Sequence, residues 1–120
     1  MKEIQANGKG LLLGSDAPQI FNVPGFSIHH EMETMLAAGL SPLEIIQSGT
    51  INVAEYLGES ENFGEVKEGM VADIILVGSN PLDDIKALKD LKGVMARGQW
   101  VSKEDIDKRL KEIEDNAYKY

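Results

Sequence analysis

The spacing of apolar residues divides the chain into segments of different periodicity. Leu11-Leu12-Leu13 is a continuous apolar run bounded by Gly10 and Gly14. Such a run predicts a strand buried on both faces, the kind found in parallel sheets. The polar stretch before it, 1–9, ends in Asn7-Gly8-Lys9-Gly10, a helix stop ahead of the strand. Beyond it Pro18 keeps Ala17 extended, so no helix can begin there at once. The loop from Ala17 to Gly25 carries Phe21, Val23 and Pro24. An apolar loop of this kind can line a pocket, although packing over the end of a sheet is its commoner role.

The period then becomes helical. Ile28, Met32, Met35 and Leu36 fall at i, i+4, i+7 and i+8, one stripe of a helix predicted from Ser27 to Ala38, with Ser27 as N-cap and Gly39 as its stop. Ser41-Pro42-Leu43-Glu44 is a full capping box with proline at the first helical position. It opens a helix whose buried side is predicted to be Leu43, Ile45 and Ile46 and which ends near Gly49. Thr50 is expected to cap a further short helix, Ile51 to Leu57, stopped by Gly58, with a surface loop at 59–62.

From Phe63 the pattern turns to strands. Phe63 to Gly69 predicts a short strand and turn. Ala72-Asp73-Ile74-Ile75-Leu76-Val77 is a second buried-strand candidate, rich in β-branched residues. Asn80-Pro81-Leu82 breaks it, and Asp83 or Asp84 caps a helical turn carrying Ile85, Leu88 and Leu91. Gly93 to Val101 predicts a hairpin with Arg97-Gly98 at its tip. Ser102-Lys103-Glu104-Asp105 opens a last surface helix with the stripe Ile106, Leu110, Ile113 and Ala117. Glu104–Lys108, Asp105–Arg109 and Asp107–Lys111 are its expected i, i+4 ion pairs.

Composition narrows the class. The 120 residues suffice for one small domain, and 42% hydrophobic with 27% charged residues are ordinary globular values. A net charge of −8 argues against a nucleic-acid partner and against adsorption to anionic membranes. The absence of cysteine excludes disulfides and thiolate metal sites, which fits a cytoplasmic location. No run approaches the roughly 18 apolar residues of a membrane span.

Few residues carry candidate chemistry. Asp16 stands at the carboxyl end of the Leu11–Leu13 run, where α/β folds place their reactive groups. Shaping a turn or capping a helix is the commoner job of an aspartate after a strand. The glycines at 8, 10 and 14 have the wrong spacing for a dinucleotide fingerprint. His30-Glu31-Met32-Glu33-Thr34 is half of a zinc-protease motif, but Thr34 replaces the second histidine. His29 and Glu33 share a helix face one turn apart, which is two ligands where a catalytic zinc wants three. Asp73 reads as a turn or backbone-capping residue.

Several of these pieces together resemble one family. Gly14-Ser15-Asp16-Ala17, the helix end Ala38-Gly39-Leu40-Ser41-Pro42, and Gly49-Thr50-Ile51-Asn52-Val53-Ala54-Glu55-Tyr56-Leu57-Gly58 are similar to the carboxyl-terminal third of metal-dependent amidohydrolases. So are Gly64 to Leu76 and Asn80-Pro81-Leu82, and the order of the motifs over residues 8 to 101 makes the series specific. The branch resembled is the imidazolonepropionase-like and prolidase-like one. The resemblance implies an α/β fold: a carboxyl-terminal fragment holding the last strand and helices of a (β/α)8 barrel, the carboxyl-terminal strands of a small β-sandwich, and a terminal surface helix. It divides the chain into a barrel unit at 1–62, a half-sandwich at 63–101 and a helix at 102–120.

The same resemblance implies that Asp16 matches the family's strand-eight aspartate, a metal ligand and catalytic base. The family's other ligands, a His-x-His on strand one, a carboxylated lysine or glutamate on strand four and histidines on strands five and six, have no counterpart here. A divalent metal, zinc, and a small-molecule substrate are therefore expected of a longer parent hydrolase of C–N bonds in amides, cyclic amides or dipeptides such as Xaa-Pro. The chain alone is expected to hold no metal and to be inactive. The alternative is a non-catalytic structural or interaction domain derived from the family. An unpaired barrel strand would drive homo-oligomerisation or other self-association.

Overall fold

A computed structural model describes Glu3 and residues 10–117. The predicted helix stop at Asn7-Gly8 lies outside the described residues, as do the last three positions of the predicted terminal helix unit.

Helices α1 (Ser27–Ala37), α2 (Pro42–Ser48) and α3 (Ile51–Leu57) come first. They are followed by strand β1 (Ile74–Val77), a 3-10 turn (Ile85–Lys89), strands β2 (Leu91–Ala96) and β3 (Gln99–Ser102), and helix α4 (Lys103–Asn116). The strands form one antiparallel sheet in the order β1-β2-β3. Ile74 pairs with Met95 and Ile75 with Val94, and the register slips between Leu76 and Val77. Val94 pairs with Val101 and Met95 with Trp100 across the hairpin. Arg97 and Gly98 form its tip with φ of 49° and 79°. Positive φ at both central residues matches the right-handed twist of the flanking strands.

The core lies among the helices rather than on the sheet. Met35 of α1, Leu40, Ile45 of α2, and Ile85 and Leu88 of the 3-10 turn form it, with Leu11, Leu13, Met32, Ile46 and Val77 packed around them. The capping box at Ser41 is complete: its amide donates to Glu44 Oε2 at 2.8 Å, and its hydroxyl accepts from the Glu44 amide at 3.3 Å. Directly within the helix so started, Ile45 is fully buried.

Several expectations are corrected. Leu11–Leu13 is not a strand buried on both faces. It is extended, with Leu11 and Leu13 half-buried and Leu12 exposed, and it pairs with no strand among the described residues. A period of two is what extended backbone gives when only one side is covered. Residues 63–69 form turns rather than a strand. The second strand shortens to Ile74–Val77, and Ile74, Ile75 and Leu76 stay between 39% and 54% exposed instead of buried, because only Val77 of this strand reaches the core.

Capping differs too. Phe26, not Ser27, occupies the N-cap of α1, and Ser27 Oγ turns to the Val23 carbonyl at 3.0 Å. Thr50 occupies the N-cap position of α3 as expected, but its Oγ1 donates to the Ile46 carbonyl at 2.8 Å and makes no cap bond. Of Asp83 and Asp84, Asp84 makes the cap, accepting from the Lys86 amide at 2.9 Å. Leu91 belongs to β2, and Leu43 is half-exposed, on the outer side of α2.

On α4 the Ser102 cap forms, but none of the three expected acid-before-base pairs does. Lys103 takes Asp107, Lys111 takes Glu114 and Asp115, and Asp105 is held by Ser102.

The chain exposes 8890 Å² of surface, against about 6,400 Å² for a compact monomer of 13.1 kDa. Its radius of gyration is 15.9 Å, where about 13.6 Å suits a compact chain of this length. Ile20, Phe21, Val66 and Ile113 are each at least two-thirds exposed.

Candidate active-site residue Asp16 and its surroundings

The extended segment leading to Asp16 is tied to the helices from two sides. The Leu13 amide donates to the Ser48 carbonyl at 2.9 Å, and Asn52 Nδ2 donates to the Leu11 carbonyl at 2.9 Å. Asn52 stands on α3 and Ser48 ends α2, so both short helices fix the direction in which the segment arrives. At Asp16 the backbone turns through φ +53°, a left-handed conformation that aspartate tolerates better than most residues. The Asp16 side chain is exposed, and its Oδ2 accepts a hydrogen bond from Gln19 Nε2.

The loop after Asp16 is anchored at its base. Asn22 Nδ2 donates to the Ser15 carbonyl at 3.1 Å, and the Ser15 and Ser27 hydroxyls are hydrogen-bonded to each other at 3.0 Å. The Asn22 amide closes a tight turn on the Gln19 carbonyl at 2.9 Å. Ile20 and Phe21 therefore project at the tip, 87% and 97% exposed. Nothing in the sequence marks Gln19, Asn22 and Ser27 as functional beyond their polar character beside an otherwise apolar loop.

His29 and Glu33 do share one face of α1, but a third residue completes the cluster. Lys89 Nζ stands 2.6 Å from Glu33 Oε1, joining the 3-10 turn to α1. The Lys89 hydrogen bond and charge lower the Glu33 pKa. Burial, and then Lys89, lower that of His29, with Glu33 acting in the opposite direction. A cleft of about 640 Å³ beside them is lined by Phe26, Glu33, Lys89, Ile106 and Leu110. Asp16 is not part of it. His30 is exposed and lies on the cleft rim.

Asp73 is a backbone-capping residue, accepting from the Arg97 amide at the hairpin tip. Among the described residues no three histidine or carboxylate side chains come close enough to hold a metal ion. Asp16 has an amide beside it instead of further ligands, and Glu33 is neutralised by a lysine. Among the described residues the donor set does not fit a metal by itself.

Strand-free extended segment, short helices and antiparallel sheet together match known proteins. The sequence profile of the amidohydrolase family covers residues 1–101, so the chain belongs to that family. Helix α4 follows the matched part. An ochratoxinase from Aspergillus niger is 33% identical over 89 residues, 72% of this chain and 18% of that protein. Adenine deaminase 1 from Latilactobacillus sakei is 36% identical over 75 residues, 62% of this chain and 12% of that protein. The structure of a Xaa-Pro dipeptidase with methionine bound in its active site superposes with a TM-score of 0.70 at 29% identity, over 82% of this chain and 24% of that one. The chain thus spans less than a quarter of the length of each. Among the described residues, no helix is long and apolar enough to cross a membrane.

Proposed function

We propose that this chain is the carboxyl-terminal part of a metal-dependent hydrolase acting on C–N bonds in amides, cyclic amides or dipeptides such as Xaa-Pro, and that it is inactive alone. Residues 1–62 would supply the last barrel unit, 63–101 half of the β-sandwich and 102–120 a surface helix. The observation that carries the reading is the family match over residues 1–101, with Asp16 at the end of the segment aligned by Ser48 and Asn52. The relatives' greater length leaves room for the ligands that this chain lacks.

Asp16 is the one residue here to which we assign catalysis and metal binding. In a complete site Asp16 would be one ligand of a divalent ion such as zinc, which would supply a water of lowered pKa. The contribution of this chain is to present the Asp16 carboxylate at the rim and to fix one of its oxygens through Gln19. The uncovered surface of Leu12, Ile74, Ile75 and Leu76 would pack against the remainder of the parent. Without it, self-association through the same surface is expected. That uncovered surface also favours a second reading, a non-catalytic interaction domain derived from the family.

Calorimetric titration of zinc into the 120-residue chain, with Asp16→Ala as control, is the first test. We expect no stoichiometric binding to either. Tight binding lost in the variant would mean an independent site and would overturn the reading of an inactive part. In the parent, Asp16→Ala is expected to lower turnover by about 10²–10⁴-fold, the range for loss of a general base. Unchanged turnover would favour the interaction domain.

A further inference from the structure

Phe21 combines two properties that rarely coexist. Its backbone lies in the left-handed region at φ +69°, where a bulky side chain is strained and glycine or asparagine is ordinary. Its ring is 97% exposed, so no packing within the described residues repays that strain. The position asks for a glycine and holds an aromatic. Strain of this kind clusters at functional sites, where the surrounding structure holds it in place.

The place is specific. Gln19, the first residue of the turn, binds the Asp16 carboxylate, and Asn22, its last, binds the Ser15 carbonyl. The turn is thereby strapped at both ends to the residues that deliver Asp16, and its tip carries Ile20 beside Phe21. The tip cannot move freely relative to the carboxylate.

We propose that Phe21, with Ile20, is a specificity-determining residue: its ring forms an apolar wall that receives the non-reacting hydrophobic substituent of an amide substrate. This rests on the assignment of Asp16 to a hydrolytic site. An exposed aromatic tethered beside a catalytic carboxylate buries its area when a substrate fills the gap. Discrimination by one such apolar contact is about 10- to 200-fold. The amide chemistry itself stays with Asp16 and the groups around it.

The test uses Phe21→Gly and Phe21→Leu in the parent hydrolase and in the 120-residue chain. For an amide that the parent turns over, kcat/KM is compared with that of the analogue whose largest apolar substituent is replaced by methyl. Phe21→Gly is expected to shrink this preference at least tenfold, chiefly through KM of the larger substrate, and Phe21→Leu to restore most of it. In the isolated chain Phe21→Gly is expected to leave the thermal midpoint unchanged or to raise it. A preference that stays the same in Phe21→Gly would overturn the proposal. So would a lowered midpoint in the isolated chain, which would mark Phe21 as a packing residue. Asp16→Ala reads total turnover instead of preference, so failure of the hydrolase assignment shows there independently.

Discussion

The indole of Trp100 lies over Gly93, filling the space in which a side chain at position 93 would begin. A Cβ built there would sit 2.1 Å from Trp100 Cη2 and Cζ2. The two residues face each other diagonally across the β2–β3 hairpin, in which Gly93 pairs with Ser102 and Trp100 with Met95. Gly93 is buried although Trp100 is half-exposed, so the ring acts as the cover of the strand. Gly93→Ala must swing the indole into solvent. The expected cost is about 1–3 kcal/mol in urea denaturation, the range for overpacking, with a red-shifted tryptophan emission. Unchanged emission would show that the ring does not rest on Gly93.

Gly64 makes a harsher case. Its φ is +108°, and a Cβ would come within 2.9 Å of the Ala54 Cβ and 3.4 Å of backbone atoms of Thr50 and Ile51. The close neighbours are short or main-chain, so nothing flexible can yield. Gly64→Ala should therefore combine conformational strain of about 1–2 kcal/mol with overpacking of similar size. Its thermal midpoint should fall further than that of Gly93→Ala. An equal or smaller drop would mean that α3 and the 63–69 turns separate easily.

The Ser41 box tests a local signal. Ser41 Oγ also donates to Glu44 Oε2, at 2.7 Å, and the helix it starts carries the fully buried Ile45. Ser41→Ala should cost about 1 kcal/mol, and Ser41→Gly only a few tenths, because glycine keeps the N-cap backbone freely available. Equal losses from the two would point to a role for the hydroxyl beyond capping.

What was legible in the sequence was local. Ser41-Pro42-Leu43-Glu44, Arg97-Gly98 and the Ser102 box each contain their own partners within a few residues, and each folds as read. Leu11-Leu12-Leu13 shows the limit. A continuous apolar run states that both faces can be buried, but not whether this chain carries the neighbours that bury them. The Lys89–Glu33 pair spans 56 positions and has no local signature. At Asp16 the residue type and place were visible, whereas the Gln19 bond and the exposed Phe21 tip depend on how the loop closes.

The last prediction concerns pH. His29 has its pKa lowered below the ordinary 6.5, first by burial of the imidazole and then by the Lys89 ammonium. The folded chain therefore binds this proton less readily than the unfolded chain. Above about pH 6.5 the ring is neutral in both states and its full contribution is present; it is lost as pH falls through the folded value. Glu33 is lowered from the ordinary carboxylate value, first by its hydrogen bond to Lys89 and then by that ammonium's charge, so its pair with Lys89 fails only at more acidic pH. Urea midpoints should decline from about pH 7.5 to about pH 5 in the wild type and decline less in His29→Gln. Lys89→Met removes the nearby ammonium, so His29 should titrate higher there, and the decline should be smaller and end at a higher pH. Parallel curves for wild type and His29→Gln would show that the imidazole is as well solvated in the folded chain as in the unfolded one.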